Sequence, residues 1–170
     1  MKLILVNGQG GSGKTTIGRE LLNRLKNTAF IDVDSLVSTN PWEFNEETDN
    51  LAIKNTVSLI KNFHGVGFEN IIISGLTRNQ QLLDTFLLQL SKKAELLFVW
   101  LKADEKTRLA RKESRDRDGA DKKEHFELVD KLYPDIDSVN IKNGKSIFIN
   151  TSSKSIQEVV NEIKPLILGV

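Results

Sequence analysis

The feature that most constrains this chain is a glycine-rich segment near its N-terminus, residues 8–15. The segment reads Gly-Gln-Gly-Gly-Ser-Gly-Lys-Thr and fits the pattern G-x-x-x-x-G-K-[ST] at every fixed position. An apolar run at residues 3–6 precedes it and predicts a buried strand. The residues that follow carry apolar side chains at helical spacing: Ile17, Leu21, Leu22 and Leu25. A strand, a glycine loop and a helix in this order are the context in which the pattern binds phosphate.

The residue types of this segment explain how it would bind an anion. Glycines let the backbone curl so that successive N–H groups point inward, and the helix that follows adds the positive end of its dipole. Lys14 can reach the β- and γ-phosphates of a nucleotide, and the Thr15 hydroxyl can coordinate Mg²⁺. The predicted phosphate-binding residues are Gly8, Gly10, Gly11, Ser12, Gly13, Lys14, Thr15 and Thr16. A chance match in an ordinary glycine-rich turn is the alternative, which the flanking strand and helix disfavour.

Length and charge narrow the class of protein. The 170 residues predict a single domain, and the 24 basic and 23 acidic residues give a net charge of +1. This balance provides no overall attraction to nucleic acid or membranes, and the absence of cysteine excludes disulfides and thiolate metal sites. No apolar run has membrane-spanning length, and a strand follows Met1 and Lys2 directly, so we expect a cytoplasmic protein without a signal peptide. The oligomeric state is left open.

Five short apolar runs alternate with helical patterns along the chain. The predicted strands are residues 3–6, 29–34, 70–74, 96–101 and 146–150. The predicted helices after the first are residues 49–63, 80–90, 105–114, 122–132 and 156–168. Strands that are apolar throughout indicate a sheet covered on both faces. We therefore predict an α/β fold, the three-layer α/β/α P-loop nucleoside triphosphate hydrolase fold with a five-stranded parallel sheet, whose ligand lies at the carboxyl ends of the strands.

Two carboxylates end the second predicted strand, Asp32 and Asp34. Residues two apart on a strand point the same way, so both would face the space beside the bound phosphates. One carboxylate could hold a water on Mg²⁺ while the other accepts the proton of a substrate hydroxyl. We assign Asp32 to the metal with Thr15, and Asp34 to catalysis and acceptor binding. The alternative is one helix-capping and one solvated carboxylate.

Further candidates follow the third and fifth strands. Ser74 stands where many phosphate-loop enzymes carry an Asp that organises Mg²⁺, which shifts that role to Thr15 and Asp32. Arg78 offers a planar fork for an acceptor's carboxylate or phosphate, unless it is a surface arginine. Trp42 could wall an acceptor region at about residues 35–64, although a satellite hydrophobic cluster explains it equally well. The adenine base of the nucleotide is expected to contact backbone groups of three polar residues: Asn150, Thr151 and Ser152.

Basic residues concentrate after the fourth strand. Residues 106–117 contain six basic and two acidic side chains, with Arg108, Arg111 and Arg115 on one helical face and Arg117 just beyond. Beside a phosphate loop, this predicts a mobile lid at about residues 108–125 that closes over ATP and neutralises charge on the transferred group. Arg115 is the predicted catalytic arginine of the lid. The alternative is a solvated charged helix.

These segments together resemble the small phosphate-loop kinases, the group that contains shikimate, gluconate and adenylate kinases and chloramphenicol phosphotransferase. Residues 8–15 are the shared loop, and residues 32–34 are similar to the Asp-x-Asp of shikimate kinase, where one Asp serves the metal water and the other the acceptor hydroxyl. Residues 34–36 resemble the chloramphenicol phosphotransferase segment that bears its proposed base. Residues 75–78 are similar to the adenylate kinase segment whose Arg holds an acceptor phosphate, from which Ser74 and Thr77 depart.

The resemblance implies an ATP- and Mg²⁺-dependent kinase that transfers the γ-phosphate to a hydroxyl of a small metabolite. A nucleoside or nucleoside monophosphate is the alternative acceptor within this class. A nucleotide-binding switch or ATPase module, in which hydrolysis drives a partner, is the alternative from another class. The chain lacks the Asn-Lys-x-Asp of guanine-selective switches, and Ser74 replaces the acidic residue that a remodelling ATPase would need. The near-neutral charge offers no basic track for a nucleic acid.

Overall fold

The structure is a computed structural model of the chain, and it describes residues 1–41, 43, 45–90, 94–114, 129–131 and 133–169. Its strands are β1 (Lys2–Asn7), β2 (Thr28–Asp32), β3 (Asn70–Ser74), β4 (Glu95–Lys102) and β5 (Gly144–Asn150). Its helices are α1 (Lys14–Arg24), α2 (Glu46–Gly65), α3 (Gln80–Gln89), α4 (Glu105–Glu113) and α5 (Ile156–Leu168). A 3-10 turn, Val33–Ser35, follows β2.

The five strands form one parallel sheet in the order β2-β3-β1-β4-β5. The chain leaves the central strand β1 toward one edge through β2 and β3, and reaches the other edge through β4 and β5. The carboxyl end of β1, where the glycine loop begins, therefore lies at the switch in strand order that opens a ligand crevice in such sheets. This architecture confirms the predicted α/β fold.

Both faces of the sheet are covered, as the uninterrupted apolar strands predict. Leu3 and Leu5 of β1 pack into a core cluster that includes residues of α2 and α3. Ile4 and Val6 point to the opposite face and pack with residues of α1 and α5. Because successive side chains of a strand alternate between faces, each strand contributes to both cores and fixes the sheet between two helical layers.

The helices begin at side-chain caps, with one exception. Asn45, Asn79, Asp104 and Ser155 each accept a hydrogen bond from a backbone N–H in the first turn of the helix that follows. Among the five helices given above, α1 alone begins without such a cap, at Gly13 in a left-handed conformation. The first N–H groups of a helix lack partners within it, so those of α1 are left to the space above the glycine loop.

One element boundary changes the predicted site. The strand expected at residues 29–34 ends at Asp32, and Asp34 belongs to the 3-10 turn instead. The expectation that Asp32 and Asp34 point the same way as strand neighbours is therefore wrong. Of the helix predicted at residues 122–132, the structure describes 129–131, which are helical; the rest lies outside the described residues. In the described chain, no helix combines the length and the apolar character needed to cross a membrane.

Candidate active site

The glycine loop connects β1 to α1 in a conformation that requires glycine. Gly8 and Gly11 have backbone φ values of 139° and 84°, which L-residues with a side chain rarely adopt. A Cβ on Gly11 would also lie 2.6 Å from the Arg108 carbonyl oxygen, so the loop runs directly against α4. The Lys14 ammonium donates to the Gln9 carbonyl at 3.3 Å and lies at the mouth of the loop. The loop is thus a closely packed cradle with its lysine in place.

Arg108 is a fixed part of this packing. It is 4 % exposed, and its guanidinium donates to both carboxylate oxygens of Asp130 at 2.7 and 2.6 Å. It also donates to the carbonyls of Ala103 at 3.1 Å and Gly10 at 3.3 Å. This placement differs from that of a lid arginine that moves onto phosphate, because the guanidinium is buried and bound on several sides.

Arg111 joins the glycine loop to the end of β5. It donates to the Thr151 carbonyl at 2.7 Å and to the Thr151 hydroxyl at 3.1 Å, with longer contacts of 3.5 Å to the carbonyls of Gly11 and Ser12. The Thr151 N–H donates to the Lys102 carbonyl at 2.8 Å. This N–H and this carbonyl, which we expected to contact adenine, therefore make hydrogen bonds within the protein.

The neighbouring candidates are placed as follows. The Ser152 N–H donates to the Asn150 side chain at 2.9 Å, and the Ser152 hydroxyl accepts from the N–H of Asp104, the cap of α4. These contacts also differ from backbone recognition of adenine. Arg115, Arg117, Trp42 and the remainder of the predicted lid lie outside the described residues, and their roles stay predictions.

Lys112, a basic residue of α4, lies against the glycine loop and was not predicted from the sequence as a site residue. A Cβ on Gly10 would lie 2.8 Å from the Lys112 Nζ atom, so the ammonium sits directly over the loop. Lys112 follows Arg108 by four residues and therefore shares its helical face. That spacing was the available signal, but the prediction considered arginines only.

Lys14 and Asp34 line one space at the carboxyl end of β3. A Cβ built on Gly75 would lie 3.5 Å from Lys14 Cε and 3.6 Å from Asp34 Oδ1. Gly75 has a φ of 81° and follows Ser74, whose strand pairs with both β1 and β2. The structure thus brings a predicted phosphate ligand and the predicted base to the same place, although Asp34 reaches it from a 3-10 turn.

A charged cluster borders this space on the side of α2. The Arg78 guanidinium donates to both carboxylate oxygens of Asp49, one at 2.6 Å, and lies 5.6 Å from the centre of the Tyr133 ring. The Gln9 side chain donates to the Tyr133 carbonyl at 2.9 Å and so connects this cluster to the glycine loop. Of these partners, sequence reasoning named Arg78 and missed Asp49 and Tyr133.

The pKa shifts of this cluster reflect close packing of opposite charges. Burial raises the pKa of Tyr133 to about 12; Arg78 opposes this rise, whereas the carboxylates of Asp34 and Asp49 add to it. The hydrogen bond to Asp49 raises the pKa of Arg78. Tyr133 therefore keeps its phenolic proton at neutral pH, and Asp34 lies within electrostatic reach of the cluster.

Polar atoms without partners mark the floor of the site. Within the described chain, the hydroxyls of Ser12, Ser74 and Thr77 and the side-chain nitrogen of Asn7 are buried and make no hydrogen bond. The Thr77 N–H donates to the Asn7 side-chain oxygen at 3.0 Å and so fixes that amide. Buried polar groups are rarely left unsatisfied, so these atoms fit a place that phosphate oxygens or ordered water occupy.

The donor set also fits Mg²⁺. Thr15 lies in the first turn of α1, and Asp32 ends β2 beside Ser74. Mg²⁺ in nucleotide sites takes one or two protein oxygen ligands, phosphate oxygens and several waters. In the described part of the chain, no group of three or more His, Cys, Asp or Glu side chains could hold a metal ion by itself. Thr15 and Asp32 with nucleotide phosphates would supply the oxygen ligands that such a site needs.

A model of the family described as "AAA domain" matches residues 4–131, most of the chain. A comparison of the sequence with curated proteins found no match.

Solved structures share the fold at low sequence identity. A sugar kinase from Janibacter sp. HTCC2649 has a TM-score of 0.74 at 13% identity, covering 98% of this chain and 94% of its own. The APS kinase CysC of Mycobacterium tuberculosis, solved with AMPPNP and APS, has 0.67 at 15%, covering 98% and 97%. Kti12 of Chaetomium thermophilum, solved with ADP-AlF3, has 0.66 at 16%, covering 97% and 98%. The fold is that of the small phosphate-loop kinases, and the chain belongs to the AAA domain family.

Proposed function

We propose that this protein is an ATP-dependent phosphotransferase that transfers the γ-phosphate to a hydroxyl of a small molecule. The observation that carries the proposal is the meeting of Lys14 and Asp34 in one space beside Gly75. A cation for the transferred phosphate and a carboxylate for the attacking hydroxyl are what phosphoryl transfer to an alcohol requires. The kinases among the structural neighbours support the same class of reaction.

The glycine loop and its neighbours would bind the phosphates of ATP. The loop N–H groups and the start of α1 would bind the β- and γ-phosphates, with Lys14 and Lys112 supplying positive charge. Thr15 and Asp32 would hold Mg²⁺, which neutralises phosphate charge when bound. Arg108 and Arg111 act here by holding the loop in shape, through Asp130 and Thr151 respectively.

Asp34 acts on the acceptor. It orients the hydroxyl toward the γ-phosphorus and takes up its proton. The acceptor oxygen forms a bond to that phosphorus as the bond between the phosphorus and the β,γ-bridging oxygen breaks, and ADP leaves. Because the protein forms no covalent bond in this transfer, the main contribution of this carboxylate is to position the acceptor hydroxyl.

The substitution Asp34→Asn tests the assignment. The amide is nearly isosteric but neither accepts the proton nor carries the orienting charge, so transfer should fall by about two to four orders of magnitude. ATP affinity should stay near the wild-type value, because the loop and Lys14 are unchanged. The measurement pairs steady-state transfer, over a screen of sugars, nucleosides, nucleotides and aminoglycosides, with direct nucleotide titration.

A matched control is Glu162→Gln, the corresponding acid-to-amide change at Glu162 of α5, which forms an ion pair with Lys154. It should leave both transfer and ATP affinity unchanged. Full transfer by Asp34→Asn, or a joint loss of transfer and ATP binding, would show that Asp34 does not serve the acceptor.

An ATPase module is the second candidate, favoured by the neighbour Kti12, whose solved complex holds ADP-AlF3 and whose name is not that of a kinase. The two candidates differ in when ADP appears. A phosphotransferase should release negligible ADP until an acceptor is added, whereas an ATPase should hydrolyse ATP alone or with a protein partner. ADP release with and without the acceptor screen therefore separates them.

A further inference from the structure

The Arg78 guanidinium is already engaged where an anionic acceptor would need it. Both carboxylate oxygens of Asp49 accept from it, and the Tyr133 ring lies 5.6 Å from its central carbon. The side chains of Arg78 and Asp49 are each only 15% exposed. A bidentate pair at this depth is strongly held, because separating it would leave a partly desolvated charge on each side.

Among the described side chains that surround this space, the charge that remains is negative. Asp49 neutralises Arg78, Tyr133 keeps its proton, and Lys14 belongs to the phosphates of ATP. Asp34 then remains as the exposed charge among the described side chains of this cluster. A phosphate or carboxylate on the acceptor would meet the Asp34 carboxylate, and among the described side chains Arg78, the cation of this cluster, is already paired with Asp49.

We propose that the acceptor is an uncharged polyhydroxylated compound, and that the Asp49–Arg78 pair selects against anionic acceptors. This inference rests on the proposed phosphotransferase function. The oxygens of Asp34 and Asp49 accept hydrogen bonds from hydroxyl groups, and the Tyr133 phenol offers a further polar contact. The resemblance to adenylate kinases implied instead that Arg78 holds an acceptor phosphate, and its partner Asp49 is the reason for the different assignment.

A binding experiment tests the pair without turnover. The protein is saturated with AMPPNP and Mg²⁺, which fills the glycine loop, and is then titrated with inorganic phosphate by calorimetry. We expect phosphate to bind Asp49→Asn at least tenfold more tightly than the wild type, because Arg78 loses its charged partner. Adding Arg78→Gln to Asp49→Asn should remove the gain, and Glu162→Gln should bind phosphate like the wild type. If the amide of Asn at position 49 still holds Arg78 and hides the gain, Asp49→Ala, which has no such group, should show it.

Two results of the titration would overturn the inference. Phosphate binding to the wild type that Arg78→Gln abolishes would mean that Arg78 serves anions despite Asp49. The absence of any gain in both Asp49 variants would mean that the pair does not control anion binding. Thermal melts of each variant verify that it is folded.

A turnover experiment separates this inference from the proposed function. Wild-type protein is assayed with matched acceptors: a sugar and its phosphate, a sugar and its aldonate, a nucleoside and its 5′-monophosphate. We expect the uncharged member of a productive pair to react at least tenfold faster, and a preference for the anionic member overturns the inference. If no acceptor reacts while the phosphate titration gives the expected gain, the proposed function fails and the charge selectivity of the cluster stands.

Discussion

The glycines of the loop differ in what a methyl group would meet. A Cβ on Gly10 approaches the end of the flexible Lys112 side chain, whereas a Cβ on Gly11 lies 2.6 Å from the backbone carbonyl of Arg108. Gly11 also has a φ of 84°, and Gly10 does not share this left-handed conformation. The same substitution therefore probes a movable side chain at one position and a fixed backbone at the next.

Gly11→Ala should lower the free energy of unfolding by about 1–3 kcal/mol, the usual cost of a strained backbone conformation. Gly10→Ala should lower it by only about 0.5 kcal/mol, because Lys112 can move aside. Denaturant unfolding of both variants without nucleotide measures the difference. Equal stability of the two variants would contradict the close contact between the loop and α4.

Some residues of the site are identified by a local sequence pattern, and others are not. Lys14 was predictable because its chemistry follows from a contiguous motif. Asp49 and Tyr133 were not, because each gains its role by meeting Arg78 across a long stretch of chain, at separations that no sequence period records. Tyr133 is the only tyrosine of the chain, which identifies the residue but not its partner.

At the scale of elements, α4 works as a brace behind the glycine loop. Arg108 connects this helix to Asp130 and to the Gly10 carbonyl, and Arg111 connects it to Thr151 at the end of β5. The sequence predicted the helix correctly, and of its predicted basic face the structure describes Arg108 and Arg111. The sequence could not show that two of the arginines face inward, because a basic helical face has the same spacing whether it meets solvent or a loop rich in carbonyls.

Arg108→Ala should destabilise the protein by about 3–5 kcal/mol, because it leaves the Asp130 carboxylate and the Gly10 carbonyl without their donor. A lid arginine would instead affect turnover with little change in stability. Chemical denaturation without nucleotide makes the distinction. Arg24→Ala, which removes a half-buried i,i+4 pair with Glu20 and a hydrogen bond to Gln157, is the control and should cost about 1 kcal/mol or less. A similarly small loss of stability in Arg108→Ala would instead support the predicted role of Arg108 in the lid.

The end of β2 shows why element boundaries escape prediction. Residues 29–33 are apolar apart from Asp32, so a strand through Asp34 fits the pattern. The structure ends β2 at Asp32, where its last pairing partner in β3 is Ser74, and turns the chain into a 3-10 helix. Val33 remains buried in that turn, which is why hydrophobicity alone does not mark the boundary.

At the scale of the whole molecule, the glycine loop is a junction of distant segments. Gln9 bonds to Tyr133, Gly10 to Arg108, and Ser12 to the Thr151 hydroxyl at 3.1 Å. The covered parallel sheet was implicit in the strand–helix alternation, although its strand order was not predicted; right-handed crossovers reduce that order to a few arrangements. These cross-connections were not implicit in the sequence, since they depend on the final packing. They imply that a ligand of the loop stabilises the whole fold.

Saturating AMPPNP with Mg²⁺ should therefore raise the melting temperature of the wild type. At a ligand concentration 100 times the dissociation constant, linkage gives about 2.7 kcal/mol. For a domain of this size, that corresponds to about 5–10 °C, at about 2–4 °C for each kcal/mol. Lys14→Ala should lose most of this shift, because it removes the charge that meets the β- and γ-phosphates. Thr151→Val removes the hydroxyl that bonds to the Ser12 carbonyl and leaves the phosphate-binding groups unchanged. It should lower the melting temperature without ligand, and AMPPNP should still raise that temperature measurably. A full shift in Lys14→Ala would place nucleotide binding outside the loop and would remove the basis of the proposed phosphotransferase.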